Sequence, residues 1–88
     1  MKDHILVIDD EEITLDLLKI ALEKERFQVS LAKNWDEVVS CVKHCYGDDD
    51  QFDAIVLDLM MPERSGFDIL RSLQVVMHPM PPVIVLSA

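Results

Sequence analysis

The chain has 88 residues, half of them hydrophobic and 28% charged, with a net charge of −9, a composition that fits one small globular domain and excludes a disordered segment. So acidic a chain lacks the basic patch that nucleic acid requires and is repelled by anionic membranes, whereas it suits a basic partner or a bound cation. Acid and His stand ahead of only a short apolar run at the N-terminus, and no run approaches membrane-spanning length, so the expectation is a cytoplasmic protein with no signal peptide.

His4-Ile5-Leu6-Val7-Ile8 predicts a first strand, and Asp9-Asp10-Glu11-Glu12 follows it at once. From Ile13 the period turns helical. Ile13, Leu17, Ile20 and Ala21 make one apolar stripe, and Leu15, Leu18 and Leu22 make a second. Together they exceed the usual apolar arc, so this helix is expected to be covered by a sheet and by another neighbour as well. Acids in its first turn and Lys24 and Arg26 near its end suit the helix dipole. Residues 27–31 alternate as Phe, Gln, Val, Ser, Leu, the pattern of a strand near a sheet edge. Asn34 is the expected N-cap of a second helix with Trp35, Val38, Val39, Val42 and Cys45 on one face. Cys41 and Cys45 fit neither a haem nor a zinc spacing and read as small hydrophobes. Residues 46–51, with Gly47 and three aspartates, predict a solvated loop that matches no calcium loop.

In Asp53-Ala54-Ile55-Val56-Leu57-Asp58, a short apolar run ends on a carboxylate. Such a run predicts a strand buried on both faces. A loop with Pro62 and Gly66 follows, and then a third helix with Phe67, Leu70, Leu73 and Met77 on its inward face. Pro79, Pro81 and Pro82 mark a connection to Val83-Ile84-Val85-Leu86, a fourth strand that runs into Ser87. The β-α-β-α-β-α-β order, without linker or repeat, predicts one α/β domain over residues 1–88. It is expected to be a doubly wound parallel sheet in the flavodoxin-like order 2-1-3-4.

That topology brings the strand ends together. Asp9 and Asp10 end strand one, Asp58 ends strand three and Ser87 ends strand four. Three close carboxylates repel one another unless a cation binds among them. Mg²⁺ is favoured, because it takes few carboxylates and keeps waters and phosphate oxygens. A carboxylate beside Mg²⁺ can attack a phosphoryl donor and form an aspartyl-phosphate, with a hydroxyl bonding a phosphoryl oxygen. Acids at a helix start are ordinary, so Asp10, Glu11 and Glu12 alone would say little. Asp58, followed by Leu-Met-Met-Pro, has no such explanation.

The chain resembles the receiver domain of two-component response regulators. The resemblance rests on Ile5-Leu6-Val7-Ile8-Asp9-Asp10-Glu11, on Val56-Leu57-Asp58-Leu59-Met60-Met61-Pro62-Glu63-Arg64-Ser65-Gly66, and on Pro82-Val83-Ile84-Val85-Leu86-Ser87-Ala88. It implies Asp58 as phosphoacceptor, Asp10 as direct Mg²⁺ ligand, Asp9 acting partly through water, and the Met60 backbone carbonyl as a further oxygen on the metal. It implies Ser87 as the switch hydroxyl and a phosphohistidine on a sensor histidine kinase or phosphotransfer protein as the donor. Such a domain assists its own phosphotransfer and is not otherwise an enzyme; its output is a shifted conformational equilibrium.

The resemblance also implies that the chain stops short. Receivers continue into a fourth helix, a fifth strand bearing a phosphoryl-pairing Lys, and a fifth helix. The lysines here fall at the N-terminus or in the first two helical regions, so that role has no occupant. Three expectations follow: impaired phosphorylation, an exposed fourth strand, and a second stripe of helix one (Leu15, Leu18, Leu22) stripped of its cover. Self-association through strand four or helix one is expected. The competing reading is an interaction or dimerisation module that does not phosphorylate, from which Mg²⁺ binding would distinguish the receiver. A flavin-binding domain is disfavoured because Asp-Asp-Glu-Glu would repel the cofactor's phosphate. A phosphatase would need an acid where Met60 stands.

Overall fold

The computed structural model describes residues 3–45, 52–59, 66–77 and 79–86. Seven elements follow in the order expected: β1 His4–Ile8, α1 Glu12–Lys24, β2 Gln28–Ala32, α2 Trp35–Cys45, β3 Ala54–Asp58, α3 Gly66–Val76 and β4 Val83–Leu86. The strands form one sheet ordered β2-β1-β3-β4, with every neighbouring pair parallel. No helix among the described residues is long and apolar enough to cross a membrane.

Because side chains alternate along a strand, the sheet splits its apolar residues between two faces. Leu6, Ile8, Ile55 and Leu57 point to one, where Val38 of α2 and Ile69 and Leu73 of α3 cover them. Ile5, Val7 and Val56 point to the other, where Leu15, Leu18 and Leu22 of α1 pack. β1, the only strand buried along its whole length among those described, lies between these layers. Burying a side chain such as Leu6 or Ile8 contributes roughly 1.5–3 kcal/mol, so these faces carry most of the fold.

The two stripes of α1 are the reverse of what was expected. Leu15, Leu18 and Leu22 lie on the sheet, while Ile13, Leu17 and Ile20 are 73%, 63% and 59% exposed. Both stripes have helical spacing, so periodicity cannot rank them. The short connection from Ile8 to Glu12 fixes the helix's rotation, and that selects the stripe.

A similar shift occurs in α3. Phe67, expected inward, is 60% exposed, and Ile69 is fully buried in its place beside Leu73. The cause is Gly66 at the helix start, which is itself buried. A Cβ there would stand 2.5 Å from the Leu59 Cα and 2.7 Å from the Asp58 carbonyl oxygen, so only glycine permits this approach. With Gly66 pressed against β3, positions 69 and 73 turn to the sheet and 67 turns away.

The ends of the elements are closed locally. Asn34 Oδ1 accepts from the Glu37 N–H at 2.9 Å, the N-cap expected for α2. α1 ends with the Phe27 N–H on the Leu22 carbonyl and Arg26 at φ 68°, a left-handed position that glycine usually fills. At the amino edge of the sheet, buried His4 contacts Ser30 Oγ through Nε2 at 2.7 Å and packs on Phe52 with ring centres 4.4 Å apart. Its backbone N–H donates to Asp53 Oδ2 at 2.7 Å. Cys41 packs against the core formed with α2 and α3. β2 starts and ends one residue later than expected. β4 lies at the sheet's end, with Ile84 and Val85 exposed.

Candidate functional site

The site follows from register. Ile8 pairs with Leu57 across β1 and β3, so the residues one step further on, Asp9 and Asp58, stand side by side at the carboxyl edge of the sheet. The Asp9 N–H donates to the Ala32 carbonyl at 3.1 Å, which extends the ladder to β2. Asp9 Oδ1 accepts from the Glu11 N–H at 3.0 Å, a turn that redirects the chain into α1. This hydrogen bond explains why the acidic run can stop a strand so abruptly. Asp10 lies within the same turn and faces the same space.

Oxygens of Asp9, Asp10 and Asp58, one from each carboxylate, lie within 4.8 Å of one another. Asp9 is buried, at 5% exposure, while Asp10 and Asp58 are half-buried. Burial raises the Asp9 carboxyl above its ordinary 3.8, and the charges of Asp58 and Asp10 push it the same way against the pull of the Glu11 N–H. The group is therefore a strained anion cluster with two members accessible to solvent.

The floor beneath Asp58 is closely packed. Gly66 presses on Leu59 and donates its N–H to the Leu59 carbonyl at 3.1 Å. Leu86 of β4 pairs with Asp58, which sets the end of β4 level with the cluster. Met60, Pro62 and Ser87, together with the side chain of Cys45, lie outside the described residues.

One further charged residue stands at this edge, where sequence pattern alone does not place it. Lys33 does not belong to a helical region. It is the first residue after β2, one step past the Ile8–Ala32 pair, and therefore level with Asp9. Its Nζ lies 3.1 Å from Glu12 Oε1 in the first turn of α1. Ending β2 at residue 31 instead of 32 hid this placement.

A family model for the response regulator receiver domain matches residues 5–88. The transcriptional regulatory protein SrrA of Staphylococcus aureus is 34% identical over all 88 residues, and the chain spans about a third of that relative's length (34%). A response regulator receiver domain protein from Clostridium thermocellum superposes with a TM-score of 0.82 at 33% identity, over 97% of this chain and 64% of that one. A response regulator protein from Burkholderia pseudomallei, with a phosphorylated aspartic acid, calcium ion and citrate, superposes at 0.81 with 28% identity, over 98% of this chain and 47% of that one. With the sheet order and the acidic edge already in place, the match along nearly the whole sequence settles the family: the chain belongs to the response regulator receiver domains of two-component signalling.

Proposed function

We propose that the chain accepts a phosphoryl group on Asp58, with Mg²⁺ held by Asp9, Asp10 and Asp58. The observation that carries this reading is the convergence of those three carboxylates at the carboxyl edge of β1 and β3. Their oxygens lie within 4.8 Å of one another, close enough for small side-chain rotations to bring them onto one shell around a hard cation with metal–oxygen distances of about 2.1 Å. An all-oxygen, acid-rich donor set suits Mg²⁺ and supplies no soft ligand for a transition metal. When bound, the ion neutralises charge on the cluster and on the group being transferred.

Within the cluster the roles divide by access. Asp9 is buried and one of its oxygens is engaged by the Glu11 N–H, so it serves to hold the cation. Asp10 is half-buried and holds it from the outer side. Asp58 is half-buried at the end of β3, where its carboxylate can approach phosphorus in line with a leaving group. A new Asp58 O–P bond forms as the donor's P–N bond to histidine breaks, and the departing imidazole nitrogen keeps the electron pair. The family resemblance adds the Met60 carbonyl to the cation's ligands and the Ser87 hydroxyl as a donor to a phosphoryl oxygen. The donor is a histidine kinase or phosphotransfer protein.

Incubation with acetyl phosphate and Mg²⁺, read by intact mass, tests the assignment. The expected result is a single phosphoryl adduct that chelation prevents and Asp58→Asn abolishes. An adduct that persists in Asp58→Asn, or no adduct in the unaltered chain, overturns it.

A further inference from the structure

Lys33, Asp9 and Asp58 form a row across three adjacent strands. Ala32 pairs with Ile8, and Ile8 with Leu57, so the three residues that follow are level. They also share a face. Leu31, Val7 and Val56 all point to the α1 side of the sheet, and Lys33, Asp9 and Asp58 each stand two residues further on, where the alternation repeats. The Lys33–Glu12 contact to α1 agrees with this. Neighbouring strands are about 4.8 Å apart, so the backbones of Lys33 and Asp58 are separated by about 10 Å. A lysine's flexible four-carbon stem can cover most of that span toward a group projecting from Asp58.

The backbone of Lys33 is fixed and its side chain is not. Its N–H donates to Glu37 Oε1 at 2.9 Å, within the cap of α2. Its ammonium is exposed and holds an exposed partner, Glu12. Ion pairs of this kind are weak and exchange readily. A phosphoryl dianion on Asp58 would offer that ammonium a stronger field than one carboxylate does. The other described cations, Lys19, Lys24, Arg26, Lys43 and Arg71, lie in or at the end of helices and are not residues that directly follow a strand.

We propose that Lys33 is a phosphoryl-binding residue of this site, which rests on the Asp58 reading above: it leaves Glu12 and pairs with the phosphoryl oxygens of the donor and of phosphorylated Asp58. Glu12 then acts as a competitor that holds the ammonium aside in the resting state. A unit charge about 7 Å from a dianion in water changes its binding about sevenfold without salt and about two- to threefold at ordinary salt.

The test is the initial rate of labelling by acetyl phosphate, with Mg²⁺ and at donor concentrations below saturation. Lys33→Met should slow labelling by about two- to threefold at ordinary salt and by up to about sevenfold at low salt, and Lys33→Arg should restore most of it. Glu12→Gln should speed labelling, and that gain should disappear in the Lys33→Met background. A gain that survives there shows a general field effect of Glu12 and overturns the proposal. So does equal slowing by Lys33→Met and Glu12→Gln, the mark of a purely structural clamp. Normal labelling in Lys33→Met removes the Lys33 role and leaves Asp58 as acceptor, while no labelling in the unaltered chain removes both. Should Lys33→Met fail to fold, the salt dependence of Glu12→Gln against the unaltered chain decides: a gain that salt does not narrow counts against the proposal.

Discussion

The acidic cluster costs the metal-free protein stability, and Asp9→Asn should recover it. At a separation of 4.8 Å or less, each pair of charges repels by about 0.9 kcal/mol in bulk water and about 3.5 kcal/mol at an effective dielectric of 20. Asp9 meets two such neighbours and is the most buried of the three. Asparagine keeps an oxygen for the Glu11 N–H but makes it a neutral acceptor, which gives back about 1 kcal/mol. The net expectation is a gain of about 1–3 kcal/mol at pH 7 and low ionic strength without divalent ions. Urea unfolding followed by Trp35 fluorescence would show it as a midpoint higher by about 1 M or more, given a slope near 1 kcal/mol per molar. Dependence on pH supplies a second reading. The folded state holds the Asp9 proton above the ordinary 3.8, so Asp9's contribution is complete below 3.8 and is lost as pH rises through the folded value. The unaltered chain should therefore gain on the variant as pH falls from 7 toward 4. Mg²⁺ should stabilise the unaltered chain and stabilise Asp9→Asn less. Equal or lower metal-free stability in Asp9→Asn, with an unchanged pH slope, would refute the electrostatic account of this site.

Four further outcomes follow from the packing. Gly66→Ala should cost about 1–3 kcal/mol through overpacking against Leu59 and Asp58, and it should slow phosphoryl labelling because the end of β3 moves; unchanged urea stability would contradict the close approach. Arg26→Gly should stabilise by up to about 1 kcal/mol by relieving the left-handed backbone at φ 68°, visible as a raised melting temperature. Leu18→Ala should cost about 2–3 kcal/mol, whereas Leu17→Ala should change stability by under about 0.5 kcal/mol; similar losses for both would mean that α1 is rotated from the orientation described. Light scattering at rising concentration should detect self-association through the exposed residues of β4 or the outer stripe of α1, and Ile84→Lys with Leu17→Lys should suppress it.

The sequence disclosed the site more fully than the packing around it. Asp9 and Asp58 could be paired on paper because a parallel βαβ order leaves few topologies, and register needs only the ends of two apolar runs. The two stripes of α1 could not be ranked, because Leu15 and Leu17 differ in fate only through the rotation that a short connection imposes. Phe67 was misplaced for a related reason: the closeness of Gly66 to Leu59 is a tertiary fact with no local pattern. Lys33 is hidden by a one-residue error at the end of β2, which leaves a lysine level with Asp9 counted with those of the first two helical regions. The strand order puts Ser87 at the same edge, but its switch role and that of the Met60 carbonyl rest on the family resemblance, and both residues lie outside the described residues.

The pairing of β1 with β3 has a kinetic consequence. The hydrogen bond from His4 to Asp53 joins residues 49 apart, and Asp9 and Asp10 meet Asp58 only once that distant pairing has formed. Before then the chain holds two separate acidic ends with no reason to bind a cation tightly. A divalent ion should therefore act after the slow, long-range step. It should lengthen the lifetime of the folded state and leave the folding rate nearly unchanged. Stopped-flow folding and unfolding with and without Mg²⁺ would place the assembly of the site on the native side of the barrier.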